Sequence, residues 1–167
     1  DGLKTNVDDI LPVLKKYHIP ATFFVSPNLH KQSGRFMTKN EIKLINACNY
    51  ATIGNHTFNH LNVLSLDIKD VSKEILKCNS ELSEFSNYNN HIFSYPFGKY
   101  NNDVVELLKN ENFVLAATTQ PTYITNNADL FFVPRCGFGE DLSLIENICH
   151  CFGIWQPVVK RIKSVKK

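Results

Sequence analysis

Apolar residues at positions 7, 10, 11, 14 and 17 recur at helical spacing and predict a helix that starts at a Thr5 or Asn6 cap and stops before Pro20. A short apolar run, Ala21 to Val25, follows as a strand. Thr38 with Glu41 makes a capping-box pattern ahead of a second helix through Ile42, Leu44 and Ile45, and Ala51 to Gly54 reads as the next strand. A long amphipathic helix from about Asp67 to Phe85 precedes the strand Ile92–Tyr95, and a helix over Asp103–Lys109 precedes the strand Phe113–Ala117. A strand around Phe131–Val133 and a helix from Asp141 to Cys151 complete the series. Alternating strands and helices imply a parallel sheet covered by helices, either an open doubly wound sheet or a distorted barrel. Both place functional loops at the carboxyl ends of strands, where His56, Pro96 and Arg135 fall.

Composition narrows the class. With 167 residues, 43% of them hydrophobic and 20% charged, the chain can bury one sizeable core, which excludes a disordered tail or a disulfide-stapled miniprotein. No apolar run approaches the roughly 18 residues of a membrane-spanning helix. The net charge of +2 hides a basic end, Lys160, Arg161, Lys163, Lys166 and Lys167, without which the chain is acidic on balance. That tail reads as a solvated extension beyond a domain of residues 1–156, occupying 157–167, and nucleic acid is not an expected partner because basic residues do not cover the fold. Five irregularly spaced cysteines predict reduced, mostly buried thiols, and Cys149-His150-Cys151 lacks the ligand spacing of a zinc site.

Three short stretches carry candidate chemistry. His56 and His60 stand four residues apart, a separation that on a helical turn brings two imidazoles to one face; they read either as half of a metal site or as polar loop residues. Thr57 occupies the place where a zincin peptidase needs Glu, which excludes that chemistry. Tyr95-Pro96-Phe97-Gly98 ends an apolar strand, serving either as a simple terminator or as a rigid turn that aims the Phe97 amide at an oxyanion beside an aromatic wall. Asp1-Gly2 alone is a turn former.

Taken in order, Asp1-Gly2, His56-Thr57-Phe58-Asn59-His60 and Tyr95-Pro96-Phe97-Gly98-Lys99-Tyr100-Asn101, with Ile19–Val25 and Leu107–Thr119 between and after them, resemble the polysaccharide deacetylases of the NodB-homology, or carbohydrate esterase 4, family. The resemblance covers nearly the whole chain. It implies a distorted (β/α) barrel of the NodB type, incomplete at the N-terminus. It also implies a divalent metal ion, zinc or another transition metal, held by Asp1, His56 and His60, with the Phe97 amide stabilising an oxyanion and Tyr95 and Pro96 contacting substrate. The implied reaction removes acetyl groups from N-acetylated, or O-acetylated, sugars of a polysaccharide or glycan. A sugar-binding relative without activity is the competing expectation.

Three departures from the family pattern carry expectations of their own. The family's catalytic base is an Asp immediately before the residue matched by Asp1, so the chain is expected to be a piece of a longer protein that supplies it. Ser94 stands where many members carry an Arg that orients this base, and Arg135 is the candidate substitute, with a plain structural ion pair as its other reading. No histidine follows Trp155 to match the family's late Leu-x-x-His acid, and His150 is not assigned that role. The family resemblance points to cell-envelope polysaccharide while the reduced cysteines suit a reducing compartment, so localisation stays open.

Overall fold

The structure is a computed structural model that describes residues 1–31, 34–85, 91–122, 124–137 and 143–151. The basic stretch 157–167, the boundary at 156 and the side chains of Cys149, His150 and Cys151 lie outside the described residues. Four parallel strands, β1 (Ala21–Val25), β2 (Ala51–Asn55), β3 (Ile92–Ser94) and β4 (Leu115–Ala117), form one sheet in the order β1-β2-β3-β4. Helices α1 (Leu11–Tyr17), α2 (Lys39–Asn46), α3 (Ile68–Phe85) and α4 (Asn102–Asn110) alternate with them, and α5 (Leu144–Cys151) comes last. This is the α/β order that the periodicity predicts, and the strands keep their sequence order as successive units of a (β/α) barrel do. Among the described residues no helix is long and apolar enough to cross a membrane.

Local chemistry explains most boundaries. Thr38 and Glu41 form a reciprocal capping box at α2, and Asn101 accepts from the Val104 amide to start α4. The first helix departs from expectation. Thr5 makes no side-chain cap, and residues Asn6–Ile10 form a π-turn in which the Leu11 amide reaches the Asn6 carbonyl, because Pro12 has no N–H to give an α-helical bond one turn back. The helix then ends at His18, whose left-handed φ of 56° closes it two residues ahead of Pro20. The expected strand at Phe131–Val133 is also replaced: Asp129 caps a 3-10 turn over Leu130–Phe132, and only Val133 bridges β4, at Ala117, since Pro134 has no amide to extend the ladder.

Two apolar clusters share α3. Its Cys78 and Leu82 pack with Phe23, Val25, Ile42, Ile45 and Ile53 beneath β1 and β2, while its Val71 and Ile75 pack with Phe93, Val104, Leu108 and Ala116 beneath β3 and β4. Burying a side chain such as Phe93 is worth about 1.5–3 kcal/mol, so α3 fastens the two halves of the sheet at several such contacts. Cys48, Cys78 and Cys136 are free thiols, the first two buried, as expected. Gly54 has a packing reason: a Cβ there would lie 2.6 Å from the Phe24 ring, its neighbour in register on β1. Phe24 can therefore lie across β2 toward the carboxyl ends of the strands.

Candidate functional site

Asp1, His56 and His60 meet at the carboxyl ends of β1 and β2. The Asp1 nitrogen donates to the Phe24 carbonyl at 2.8 Å, on the edge of β1 away from β2, which aims the aspartate side chain over the sheet end. His56 directly follows β2 and is held at three points: its amide donates to the Val25 carbonyl, its carbonyl accepts from the Ser26 hydroxyl, and its Nδ1 donates to the Ser94 carbonyl at 2.6 Å. A carbonyl partner requires the proton on Nδ1 and leaves Nε2 with a free lone pair. That Nε2 lies 3.3 Å from Asp1 Oδ1, and His60 Nε2 lies 3.2 Å from the same oxygen.

The helical turn expected to align these imidazoles is absent. The side chain of Asn55 instead accepts from the Thr57 amide, and Thr57 and His60 adopt left-handed φ values of 62° and 57°. The reversal places the ring centroids 4.8 Å apart at 62°. Burial is the largest cause pulling the His56 pKa down to about 3, and it also lowers that of His60. Burial thus disfavours the charged form of both rings.

The remaining wall comes from β3, β4 and the segment after them. Phe97 has a left-handed φ of 56°, followed by Gly98 at 64°, and its ring is 59% exposed with its centroid 4.8 Å from that of His60. A Cβ on Gly98 would stand 2.0 Å from Thr119 Oγ1, so only glycine lets this turn close on β4's continuation. Arg135 donates from Nε to the Thr118 carbonyl at 2.8 Å and from Nη2 to the Ser94 hydroxyl at 2.7 Å, with its guanidinium 5.4 Å from the Phe24 ring centroid. Together these residues line a cavity of about 560 Å³.

Five of the seven residues picked out in the sequence, Asp1, His56, His60, Phe97 and Arg135, converge on this cavity with open faces or donors. The other two are placed differently. Tyr95 reaches the wall, but its ring is fully buried between Phe93 and Tyr100 and its hydroxyl donates to the Phe131 carbonyl, so it offers no stacking face. Pro96 is buried and lies off the cavity lining. The aromatic wall is Phe97 and Phe24. Sequence reading missed Phe24 and Thr119; Phe24 stands opposite Gly54, a pairing visible only once strand register is known.

The donor set fits a divalent ion. One carboxylate and two imidazoles present ligand atoms within 4.8 Å of one another, burial disfavours the charged form of both rings, and the His56 tautomer is set by a carbonyl behind it.

Residues 1–116 match the family profile described as polysaccharide deacetylase, and the chain belongs to that family. It is 29% identical over 151 residues to a poly-beta-1,6-N-acetyl-D-glucosamine N-deacetylase of Staphylococcus epidermidis, covering 83% of this chain and 52% of that protein. Its fold matches the Streptococcus pyogenes deacetylase PplD in complex with acetate, with a TM-score of 0.79, 23% identity, and 89% of this chain against 65% of that one. It also matches BA3943 of Bacillus anthracis, a pseudoenzyme of the carbohydrate esterase 4 family, with a TM-score of 0.58, 24% identity, and 66% of this chain against 37% of that one. The chain spans about half the length of the curated relatives it matches.

Proposed function

We propose that the cavity is the centre of a metal-dependent hydrolase that removes acetyl groups from N-acetylated sugars of a polysaccharide or glycan. The observation that carries this reading is the convergence of Asp1 Oδ1, His56 Nε2 and His60 Nε2, with the His56 proton held on Nδ1, at the floor of an open cavity walled by aromatic rings. These three atoms would hold the ion, zinc or another transition metal, whose chemistry is that of a Lewis acid polarising an acyl oxygen. Water adds to the acetyl carbon, the carbon–nitrogen bond breaks, and acetate and a free amine leave.

The chain's own groups have distinct tasks in that reaction. The Ser94 carbonyl fixes the His56 tautomer. The rigid Tyr95–Gly98 turn presents the Phe97 amide as a donor to the oxyanion that develops on the acetyl group, and the exposed Phe97 ring offers a face to a pyranose. Family resemblance places the base at the residue joined to the Asp1 nitrogen, and Arg135, held by the Thr118 carbonyl and the Ser94 hydroxyl on the lining of the same cavity, is positioned to orient its carboxylate. The substrate in the name of the Staphylococcus epidermidis relative supports the N-acetyl linkage over the O-acetyl one.

The test is acetate release from N-acetylglucosamine oligomers by the full-length protein, with and without chelator. Chelator-sensitive release supports the reading. Oligomer binding without release, in metal-loaded protein, would instead identify an inactive sugar-binding relative, as the pseudoenzyme match allows.

A further inference from the structure

Each imidazole is preceded by an asparagine, and both asparagines are tied to α3. Asn55 Nδ2 donates to the Ile75 carbonyl at 3.0 Å and to Asn79 Oδ1 at 2.7 Å. Asn59 is chelated by one carboxylate: its main-chain amide donates to Glu74 Oε2 at 2.8 Å and its Nδ2 to Glu74 Oε1 at 2.5 Å. The Asn59 side-chain oxygen accepts from Asn28 Nδ2 at 2.6 Å, and the Asn28 amide donates to the Phe58 carbonyl. The loop thus carries one left-handed non-glycine residue, Thr57, between its two anchors on a single helix and a second, His60, directly after the Asn59 anchor. A non-glycine residue in the left-handed region costs roughly 1–3 kcal/mol and persists where surrounding bonds over-determine it.

We infer that Glu74 is a positioning residue for His60: its two-oxygen grip on Asn59 holds the next residue in the left-handed conformation that aims Nε2 at Asp1. A carboxylate suits this task because both its oxygens accept, and the two hydrogens it must bind both belong to Asn59. The hydrogen bonds of Glu74 go to Asn59, so it acts on His60 through the loop. The inference rests on the metal reading proposed above.

The experiment titrates the full-length protein with Co²⁺, reading affinity by calorimetry and ligand geometry by visible d–d absorption, for wild type, Glu74→Gln, Glu74→Ala and the control Asp70→Ala. Asp70 lies on the same helix, bonded to exposed Lys73. Glu74→Ala is expected to weaken Co²⁺ binding roughly 10- to 100-fold and to shift the absorption band, with Glu74→Gln intermediate because it keeps one acceptor, and Asp70→Ala unchanged. Wild-type affinity and an unshifted band in both Glu74 variants would overturn the inference, even if their metal-free melting temperatures fall, because that is the signature of a purely structural role. Should Glu74→Ala not fold, Glu74→Gln decides by the same readings. Failure of the wild type itself to take up Co²⁺ overturns the metal reading and this inference with it, whereas wild-type uptake with unaltered Glu74 variants removes Glu74 alone.

Discussion

The two sides of the cavity are built on different plans. The imidazole side is compact in sequence, His56 and His60 lying within one loop after β2, and its bonds run to main-chain groups or to α3. The guanidinium side is assembled across distance: Arg135 leaves an irregular segment and reaches acceptors 17 and 41 residues away. Ser94 joins them, since its carbonyl accepts from His56 and its hydroxyl accepts from Arg135. Main-chain anchors tolerate substitution of the residue that offers them, while side-chain anchors do not, so the His56 bond to the Ser94 carbonyl should survive mutation of Ser94, whereas the Arg135 bond to the Ser94 hydroxyl and the Glu74 grip on Asn59 should not survive loss of those side chains.

The sharpest separation comes from removing one group on each side. Under the proposed function, His56→Ala deletes a ligand and should lower acetate release by roughly 10³-fold, several kcal/mol of transition-state stabilisation, together with loss of Co²⁺ uptake. Arg135→Ala should leave Co²⁺ affinity in place yet lower the rate about 10²-fold and displace the pH–rate profile, with Arg135→Lys failing to restore it because a point charge cannot reach both acceptors. An unchanged rate and profile in Arg135→Ala would reduce that residue to a structural contact. Ser94→Ala tests the joint directly. The His56 anchor survives, the guanidinium loses one of two acceptors, and the rate should fall about tenfold, the worth of a hydrogen bond to a charged group, with Co²⁺ affinity intact; a loss of Co²⁺ affinity would break the comparison.

The smallest effect lies outside both sides. Thr38→Ala removes the α2 cap and should cost about 1 kcal/mol of stability in thermal unfolding without altering acetate release. The amide and then the hydroxyl of Thr38 hold the Glu41 carboxyl below its ordinary pKa. A depressed carboxylate contributes stability that is present above the unfolded pKa, near 4.5, and is lost as the pH falls through the lower folded value. Wild type should therefore lose this increment on acidification below about pH 4.5, and Thr38→Ala, which keeps the residue-38 amide but lacks the hydroxyl, should lose a smaller one.

Much of the fold is legible in the order of residues alone. Short apolar runs place β1 and β2, and the Thr38–Glu41 box places the start of α2, because these signals lie within a few residues and answer to local chemistry. Where a proline intervenes, local pattern misleads: Pro12 turns the first helical turn into a π-turn, and Pro134 leaves Val133 with a single bridge in place of a strand. The direction of the Tyr95 ring escapes local pattern too, because a residue at a strand end can turn inward or outward, and the Phe131 carbonyl waiting in the second core decides which.

The sequence by itself determined the α/β alternation, the motif order that marks the family, and the residue types of a metal-binding set, since each is written in short spacings and in side-chain chemistry. Only the tertiary structure decided that the His56 proton sits on Nδ1, that Arg135 bonds to the Ser94 hydroxyl, and that Glu74 grips the histidine loop. Those facts depend on strand order, register and the packing of α3 across both halves of the sheet, which bring distant residues together through many weak contacts that no local pattern records.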